Sequence, residues 1–413
     1  MSDLNIAPNG LKFNRKTVKD IDVSGKRVIL RVDYNVPTAK DGTISDDSRI
    51  RASLPTIQYL LGQRARIILC SHFGRPNGKV VESMRLNFVA VRLAEILNRP
   101  VTALKDCIGP EVKKVVFQMN EGDIVMLENL RFYPQEEAND PDFASALAVL
   151  GEVYVNDAFG ASHRAHASIT GIADYLPAVA GFLMEKELNY MGYLLDNPAH
   201  PFVLVMGGAK VSDKIGVIQN ILDKVNSILI GGGMAANFLK AQGLDVGASA
   251  VEQDKLDYTR EMLKKAQEKG VRFVLPVDVI AAEKIGAGAA NKIVAVNDIP
   301  AGWVIADIGP ETIKLFVKEI QSAKTIFWNG PMGVFEIEAF SKGTSVIAQS
   351  IADSKAATVV GGGSTAEAVE QMKLSDKMTH VSTGGGASLE LLEGVRLPGV
   401  AVLLSKGYNW PGY

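Results

Sequence analysis

The chain has 413 residues, of which 47% are hydrophobic and 22% are charged, and its formal net charge is -2. These values are typical of a globular protein of two or three domains. A net charge so close to zero does not favour binding of nucleic acid or of a membrane surface by bulk electrostatics.

Short apolar runs alternate with amphipathic segments along the chain. Helical patterns lie between many of the runs, for example at 83–98 and 253–269. This alternation predicts βαβ units, and therefore parallel sheets that are covered by helices on both faces. The strand-like runs are RVILRV (27–32), RIILC (66–70), DIVML (123–127), EVYV (152–155), FVLVM (202–206), SILI (227–230), RFVL (272–275), TIFW (325–328), ATVV (357–360) and THVS (379–382).

The segment 181–197 separates two halves of different character. Met184, Leu188, Met191 and Leu195 recur at the spacing of one helix face, and Asn197 is followed by a proline that favours a helix end. We interpret this segment as a helix that joins two domains.

Polar loops follow the strands of the first half. RVDYNVP (31–37) places Asp33 and Asn35 two residues apart, and Arg49 is expected just inside a helix. The later loops supply His72 and Arg75 from SHFGRP, Arg131 from ENLRF, and His163, Arg164 and His166 from NDAFGASHRAHAS. Each arginine or histidine alone is best explained as an ordinary surface or structural residue. Several arginines at strand ends, however, predict a basic site for a small anion.

Glycine clusters follow the strands of the second half. A strand, a glycine triplet and a helix occur in SILIGGGMAANFL, ATVVGGGSTAEAV and THVSTGGGASLELL, and FVLVMGGAKVSDKI is a looser version. The backbone N–H groups of such loops, at the start of a helix, form an anion site that often holds phosphate. Lys210 and Lys214 lie four residues apart around a helix start, so we expect them to share one face. Glu336, in WNGPMGVFE (328–336), is a candidate acceptor for ribose hydroxyls.

The sequence contains neither of the two common nucleotide fingerprints. GGAKVSDK (207–214) lacks the residue order of a P-loop, and GAGAAN (286–291) lacks the last glycine of a dinucleotide motif. A nicotinamide dehydrogenase is therefore disfavoured. A protein of two lobes that only captures an anion remains an alternative, which an assay of ATP formation would distinguish from an enzyme.

The two cysteines, Cys70 and Cys107, follow no metal-ligand spacing and make no disulfide framework. The N-terminal sixteen residues lack the apolar run of a secretory signal, and no stretch approaches the ~18 apolar residues of a transmembrane helix. We therefore expect reduced thiols in a cytoplasmic protein that does not bind membranes or nucleic acid.

Nine segments together resemble the successive motifs of the phosphoglycerate kinase family, in the family's order and across nearly the whole chain. They are RVDYNVP, SHFGRP, ENLRF, NDAFGASHRAHAS, GGAKVSDK, GGGMA, DIGPET, WNGPMGVFE and STGGGASLELLEG. The resemblance implies a glycolytic kinase that reversibly transfers a phosphoryl group from 1,3-bisphosphoglycerate to ADP, giving 3-phosphoglycerate and ATP. It also implies Mg²⁺ as cofactor, a monomer, and in-line transfer in a closed cleft between two doubly wound, Rossmann-like α/β domains.

The resemblance also implies domain bounds and site residues. The expected divisions are a phosphoglycerate-binding domain at 1–180, the joining helix at 181–197, a Mg-nucleotide domain at 198–395, and a tail at 396–413 that returns to the first domain. The implied substrate-binding residues are Asp33, Asn35, Arg49, His72, Arg75, Arg131 and Arg164. The implied nucleotide-binding residues are Gly208, Lys210, Lys214, Gly232, Asn329, Glu336, Gly362, Gly363, Ser364 and Thr365. Arg49 and Lys210, with Gly384, Gly385 and Gly386, are implied to hold the transferring group.

Two features depart from the family pattern. Ser364 stands where the family commonly has an aspartate that contacts the metal, and a hydroxyl is a weaker ligand than a carboxylate. The metal ligands in this chain are therefore left open. The tail sequence GYNWPGY (407–413) corresponds to no element of the family that we recognise.

Overall fold

The computed structural model describes residues 14–407, which divide into two compact units. Within this range the first unit comprises residues 14–189 and 396–407, and the second unit comprises residues 190–395. None of the helices in 14–407 combines the length and the apolar character needed to cross a bilayer.

The first unit is built on a six-stranded sheet in which every pairing is parallel, in the order β3-β4-β2-β1-β5-β6. Its strands are β1 (Arg27–Arg31), β2 (Arg66–Cys70), β3 (Thr102–Ala103), β4 (Ile124–Met126), β5 (Val153–Asn156) and β6 (Ala178–Ala180). In β1 and β2 every residue after the first is buried. Such continuous apolar runs are typical of strands covered on both faces.

Helices connect these strands and cover the sheet. They are α1 (Ser48–Ala52), α2 (Leu54–Gly62), α3 (Asn87–Leu97), α4 (Pro110–Phe117), α5 (Pro134–Glu137) and α6 (Pro141–Ala148). Helix α3 begins later than the predicted 83–98, because a short 3₁₀ turn at Glu82–Met84 precedes it. The core on one face of the sheet contains Val28 and Leu30 of β1, Ile67 and Leu69 of β2, and Ile57 and Leu60 of α2.

The predicted helix at 181–197 is confirmed as α7 (Phe182–Asp196), which spans the division between the two units. Its first N–H groups are held by side chains of the first unit. Leu183 and Met184 donate to Asp157 Oδ1 over 2.9 Å and 3.1 Å, and Phe182 donates to Thr56 Oγ1 over 2.9 Å. The carboxylate of Asp157, which directly follows strand β5, therefore caps the N-terminus of helix α7.

The second unit has a six-stranded parallel sheet and a separate three-stranded antiparallel sheet. Its strands are β7 (Phe202–Met206), β8 (Ser227–Ile230), β9 (Arg272–Val274), β10 (Asp278–Ala282), β11 (Asn291–Ala295), β12 (Val304–Ile308), β13 (Thr325–Asn329), β14 (Ala357–Gly361) and β15 (His380–Val381). The parallel sheet has the order β15-β14-β13-β7-β8-β9, and the antiparallel sheet has the order β11-β10-β12.

The predicted mixed α/β class with two parallel sheets is confirmed, but the antiparallel sheet was not predicted. Its edge strand β11 is mostly exposed, so it lacks the apolar run that marks a buried strand. The segment GAGAAN, considered above as a nucleotide motif, belongs to the hairpin between β10 and β11 and does not open a helix.

The helices of the second unit are α8 (Ile215–Ile221), α9 (Ala235–Ala241), α10 (Leu256–Glu268), α11 (Pro310–Ser322), α12 (Lys342–Ala352), α13 (Gly363–Gln371) and α14 (Gly386–Leu392). Each strand, glycine cluster and helix predicted from the repeated pattern is present: β7 leads to α8, β8 to α9, β14 to α13 and β15 to α14.

Residues 396–407, which include the short helix α15 (Pro398–Ala401), pack in the first unit. Gly399 donates to the Ser162 carbonyl over 2.9 Å and accepts from Asn156 Nδ2 over 3.2 Å. Leu404 bridges two segments, because its N–H donates to Ala178 and its carbonyl accepts from Lys16. Residues 408–413, which make up most of GYNWPGY, lie outside the described residues.

Candidate ligand sites

The predicted substrate residues lie at one edge of the first sheet. Strands β4, β2, β1 and β5 are neighbours in that order, and all are parallel, so the loops at their carboxyl ends share an edge. Asp33 and Asn35 follow β1, His72 and Arg75 follow β2, Arg131 and Arg164 follow β4 and β5, and Arg49 lies in α1 as predicted.

Arg49 and Asp33 form an ion pair at this edge. Arg49 Nη1 donates to Asp33 Oδ2 over 2.9 Å, and about a third of the Arg49 side chain is exposed. Burial disfavours the ionised form of Asp33, but the positive charges of Arg49 and Arg31, with the hydrogen bond from the Asn35 N–H, outweigh it and lower the pKa of that carboxyl. The Asp33 carboxylate therefore orients the Arg49 guanidinium.

His72 is buried and held in one tautomer. Arg31 Nη2 lies 3.1 Å from His72 Nδ1, and since a guanidinium can only donate, that nitrogen must accept. Burial, together with the nearby arginines, holds the pKa of His72 well below its ordinary value. The neutral imidazole therefore carries its proton on Nε2, which lies 4.0 Å from Asp33 Oδ1.

Arg31 is a site residue that the sequence analysis missed. Its side chain is buried, and besides His72 it donates to Ser168 Oγ over 2.9 Å and to the Val32 carbonyl. Ser168 in turn donates to the buried Glu136 through both its N–H and its hydroxyl, over 2.9 Å and 2.6 Å. The position of Arg31, two residues before Asp33 at the end of an apolar strand, was the signal that could have identified it.

Arg131 completes a group of buried or half-buried cations. Its Nη1 donates to the Gly74 carbonyl over 2.9 Å, and Gly74 donates to Asn35 Oδ1 over 2.9 Å. Burial lowers the pKa of Arg131, and the charges of Arg31 and Arg164 lower it further. Arg31 and Arg131 are therefore buried cations at this edge, whereas Arg75 and Arg164 are exposed.

The predicted nucleotide residues lie at the corresponding edge of the second sheet. Strands β15, β14, β13, β7 and β8 are consecutive neighbours, and all the predicted residues follow one of them. Gly208, Lys210 and Lys214 follow β7, Gly232 follows β8, Asn329 ends β13 and Glu336 follows it, Gly362, Gly363, Ser364 and Thr365 follow β14, and Gly384, Gly385 and Gly386 follow β15.

The loops after β7, β8 and β13 are joined through their backbones. Gly208 donates to the Pro331 carbonyl over 3.0 Å, and Gly232 donates to the Met332 carbonyl over 2.9 Å. A methyl group added at Gly330 would lie 2.2 Å from the Gly207 carbonyl oxygen, so only glycine permits this approach. The glycines therefore bring three loops together.

Asn329 presents a buried donor that has no partner. Its side chain is fully buried and its Oδ1 accepts from Lys214 Nζ, but Nδ2 makes no hydrogen bond within the described part of the chain. A methyl group added at Gly362 would lie 2.7 Å from Nδ2. Gly362, directly before α13, therefore lets the backbone pass close to this amide donor, next to the Lys214 ammonium and the N–H groups of a helix start.

One detail of the predicted site is wrong. Lys210 and Lys214 do not share a helix face, because α8 begins only at Ile215 and Lys210 lies exposed in the preceding loop. Ser212 within this loop donates to Glu252 through its N–H and its hydroxyl, over 3.0 Å and 2.6 Å, which holds the chain away from a helical path. Burial lowers the pKa of Lys214, which is half-buried.

Ser364 is the exposed second residue of α13, and Glu336 is exposed as well. Within residues 14–407 there is no cluster of three or more His, Cys, Asp or Glu that could hold a metal ion. These residues fit a Mg²⁺ that arrives with nucleotide phosphates and takes most of its ligands from them and from water.

Together the two sites define the class of this protein: an α/β phosphotransferase, with an arginine cluster in one unit and phosphate-type glycine loops in the other. Residues 18–395 match the sequence model of the family described as phosphoglycerate kinase. A phosphoglycerate kinase of Pelotomaculum thermopropionicum is 54% identical over 392 residues, which cover 95% of this chain and all of that protein.

Two solved structures give the same result. A phosphoglycerate kinase of Coxiella burnetii is 41% identical with a TM-score of 0.83, and one of Pyrococcus horikoshii is 32% identical with a TM-score of 0.83. Each match covers 94% of this chain and 98% of the other. The chain belongs to the phosphoglycerate kinase family, and it is therefore a kinase of glycolysis.

Proposed function

We propose that the first unit binds the phosphoglycerate and the second unit binds the Mg-nucleotide, so that a phosphoryl group passes between 1,3-bisphosphoglycerate and ADP. The observation that carries the nucleotide assignment is the buried, unpartnered Nδ2 of Asn329 beside Gly362 and Lys214. A buried donor without a partner is costly, and a nucleotide phosphate oxygen would supply the acceptor it lacks.

The arginine cluster of the first unit suits a substrate with a carboxylate or acyl phosphate and a second phosphate. Guanidinium groups bind such anions in a bidentate manner and stay charged when buried. We assign substrate binding to Arg131 and Arg164 together with Asn35, Arg75 and the Nε2–H of His72. The Asp33 carboxylate serves two roles, because it orients Arg49 and is a candidate acceptor for a substrate hydroxyl.

The reaction needs no general base. The attacking oxygen belongs to a carboxylate or to an ADP phosphate, and both are already ionised at neutral pH. Rate enhancement then comes from in-line positioning and from stabilising the charge of the transferring group. We assign that stabilisation to Arg49 and Lys210 and to the N–H groups of Gly384, Gly385 and Gly386.

This mechanism requires residues of both units to act on one phosphoryl group while water is excluded, and we propose that a closed interdomain cleft provides this. Mg²⁺ bound with the nucleotide would neutralise phosphate charge, and the Ser364 hydroxyl at the start of α13 is a candidate ligand for it. We assign ribose recognition to Glu336.

We further propose a monomer that acts in the cytoplasm and binds only small molecules. The free, buried thiols of Cys70 and Cys107 support a reducing compartment. Light scattering after size-exclusion chromatography tests the oligomeric state, and a mass of two chains would refute the monomer.

A coupled assay of ATP formation from 1,3-bisphosphoglycerate and ADP, with and without Mg²⁺, tests the function. We expect turnover only with Mg²⁺. Calorimetry then compares ADP binding to the wild type and to Asn329→Leu, which removes the amide donor and should weaken binding. Binding of both ligands without turnover would instead support a capture protein.

A further inference from the structure

Asp307 is a buried carboxylate outside the set of residues considered so far. It is the penultimate residue of β12 and is fully buried. Its Oδ2 accepts from the Gly343 N–H over 2.7 Å, and its Oδ1 accepts from the Ile308 N–H over 2.9 Å. Gly343 is the second residue of α12, so the carboxylate binds the first turn of that helix.

Two glycines leave room for this carboxyl group. A methyl group added at Gly333 or at Gly343 would lie 2.3 Å or 2.2 Å from Asp307 Oδ1. Neither glycine has a positive φ, so the backbone conformation does not explain the missing side chain. The closeness of Asp307 explains why both positions are glycine, since real Cβ atoms essentially never approach another atom so closely.

Asp307 contacts the segment that follows Asn329, which includes a predicted nucleotide-binding residue. Residues 330–343 run from Asn329 to the start of α12 and include Glu336. Within it Val334 donates to the Ala306 carbonyl over 3.0 Å, next to Asp307, and Met332 donates to Thr344 Oγ1 over 3.0 Å. The end of the segment depends on Asp307, because Gly343 has its N–H on that carboxylate.

We propose that Asp307 is a positioning residue that sets the affinity for the nucleoside diphosphate by holding segment 330–343 against β12. This inference rests on the proposed nucleotide role of Asn329 and Glu336. A carboxylate is a costly group to bury, and burial raises the pKa of Asp307 to about 7. A carboxylate suits this position because its two oxygens accept separately from the N–H groups of Gly343 and Ile308.

The test compares Asp307→Asn with a matched control, Asp278→Asn. Gly343 and Ile308 donate to different oxygens of Asp307, and Asn replaces one of these oxygens by an NH2 group, which would face an N–H donor instead of accepting from it. Asp278 is also buried, lies in β10 of the same antiparallel sheet, and likewise accepts from the start of a helix, through the N–H groups of Glu311 and Thr312 over 3.0 Å and 2.8 Å. It does not contact segment 330–343 through any hydrogen bond of the described residues.

Calorimetry with ADP and, separately, with 3-phosphoglycerate gives the readout, and a thermal melt reports the stability of each variant. We expect Asp307→Asn to raise the Kd for ADP about 10-fold. The Kd for 3-phosphoglycerate should stay unchanged, and Asp278→Asn should leave both affinities unchanged even where it lowers the melting temperature. An unchanged Kd for ADP in Asp307→Asn, or equal changes in both variants, would overturn the inference.

A second variant covers the case in which Asp307→Asn does not fold. Gly343→Ala keeps the carboxylate but places a methyl group against it, although alanine otherwise favours a helix over glycine. A raised Kd for ADP with a normal Kd for 3-phosphoglycerate supports the proposal, and unchanged affinities contradict it. Wild-type protein that fails to bind ADP would overturn the proposed function as well, so the two failures are distinguishable.

Discussion

Replacing Arg31 by methionine should disturb both the stability of the first unit and its affinity for substrate. Methionine has a similar length but cannot donate to Ser168 Oγ, His72 Nδ1 and the Val32 carbonyl. Three buried acceptors then lose their donor, and the buried Glu136 loses the positive charge that favours its ionised form.

The magnitude follows from the burial of this network. Removing one member of a buried charged network costs about 3–5 kcal/mol, because the remaining groups stay buried and unsatisfied. Since Arg31 reaches Glu136 only through Ser168, we take the lower end, ~3 kcal/mol. For a unit of this size that corresponds to a fall in melting temperature of roughly 6–12 °C.

The functional effect arises from His72, whose Nδ1 would lose its donor, so the proton would no longer be fixed on Nε2. We expect a roughly 10-fold rise in the Kd for 3-phosphoglycerate, measured by calorimetry, and no change for ADP. Arg27→Met is the matched control, because Arg27 lies at the opposite end of β1 and donates to the Leu150 carbonyl. An Arg31 variant with a normal melting temperature and normal substrate affinity would refute this reasoning.

Four further outcomes are expected. Arg49→Ala should lower kcat by several powers of ten, since a cation on a transferring phosphoryl group contributes ~10³–10⁵ in rate, while circular dichroism stays unchanged; near-normal turnover would remove Arg49 from the catalytic set. Ser364→Asp should lower the Mg²⁺ concentration for half-maximal activity, because a carboxylate is a better ligand than a hydroxyl; a magnesium titration with an unchanged or raised requirement would contradict this. Gly362→Ala should weaken ADP binding in calorimetry, since φ there is +90° and the methyl group would meet Asn329 Nδ2; unchanged affinity would exclude a ligand at that point. Burial raises the pKa of Asp157 to about 6 in the folded state, above its value in the unfolded state. The folded state therefore binds the proton more tightly, and the stabilisation from this group is lost as pH rises from about 4 to about 6. Melts of wild type and Asp157→Asn across that range should show the wild type losing stability relative to the variant, and parallel curves would argue against the shift.

The parallel strands and the glycine loops could be predicted because their signals are local. Runs such as FVLVM and RIILC are apolar throughout, and each glycine cluster sits between a strand and a helix in sequence. The edge strand β11 gave no such signal, because most of its side chains are exposed.

The contacts within the sites depend on distant residues and could not be predicted from spacing. Arg31 looked like the polar end of a strand, and its role depends on Ser168 and His72, which come from other loops. Ser212 and Glu252 decide where α8 begins, although 40 residues separate them. Such pairs are visible only when the sheet order is known.

The C-terminal segment has a consequence for the order in which this protein can be completed during synthesis. The Lys16 N–H is bound by the Leu404 carbonyl, and Arg15 Nη1 donates to Leu403 and Ser405. The whole second unit is translated between these partners. During synthesis the Lys16 N–H therefore lacks its Leu404 partner, and Asn156 Nδ2 its Gly399 partner, until residues 399–404 emerge, so completing the first unit closes a loop of nearly the full chain. The second unit has all its strands available earlier, even though it is synthesised later than most of the first.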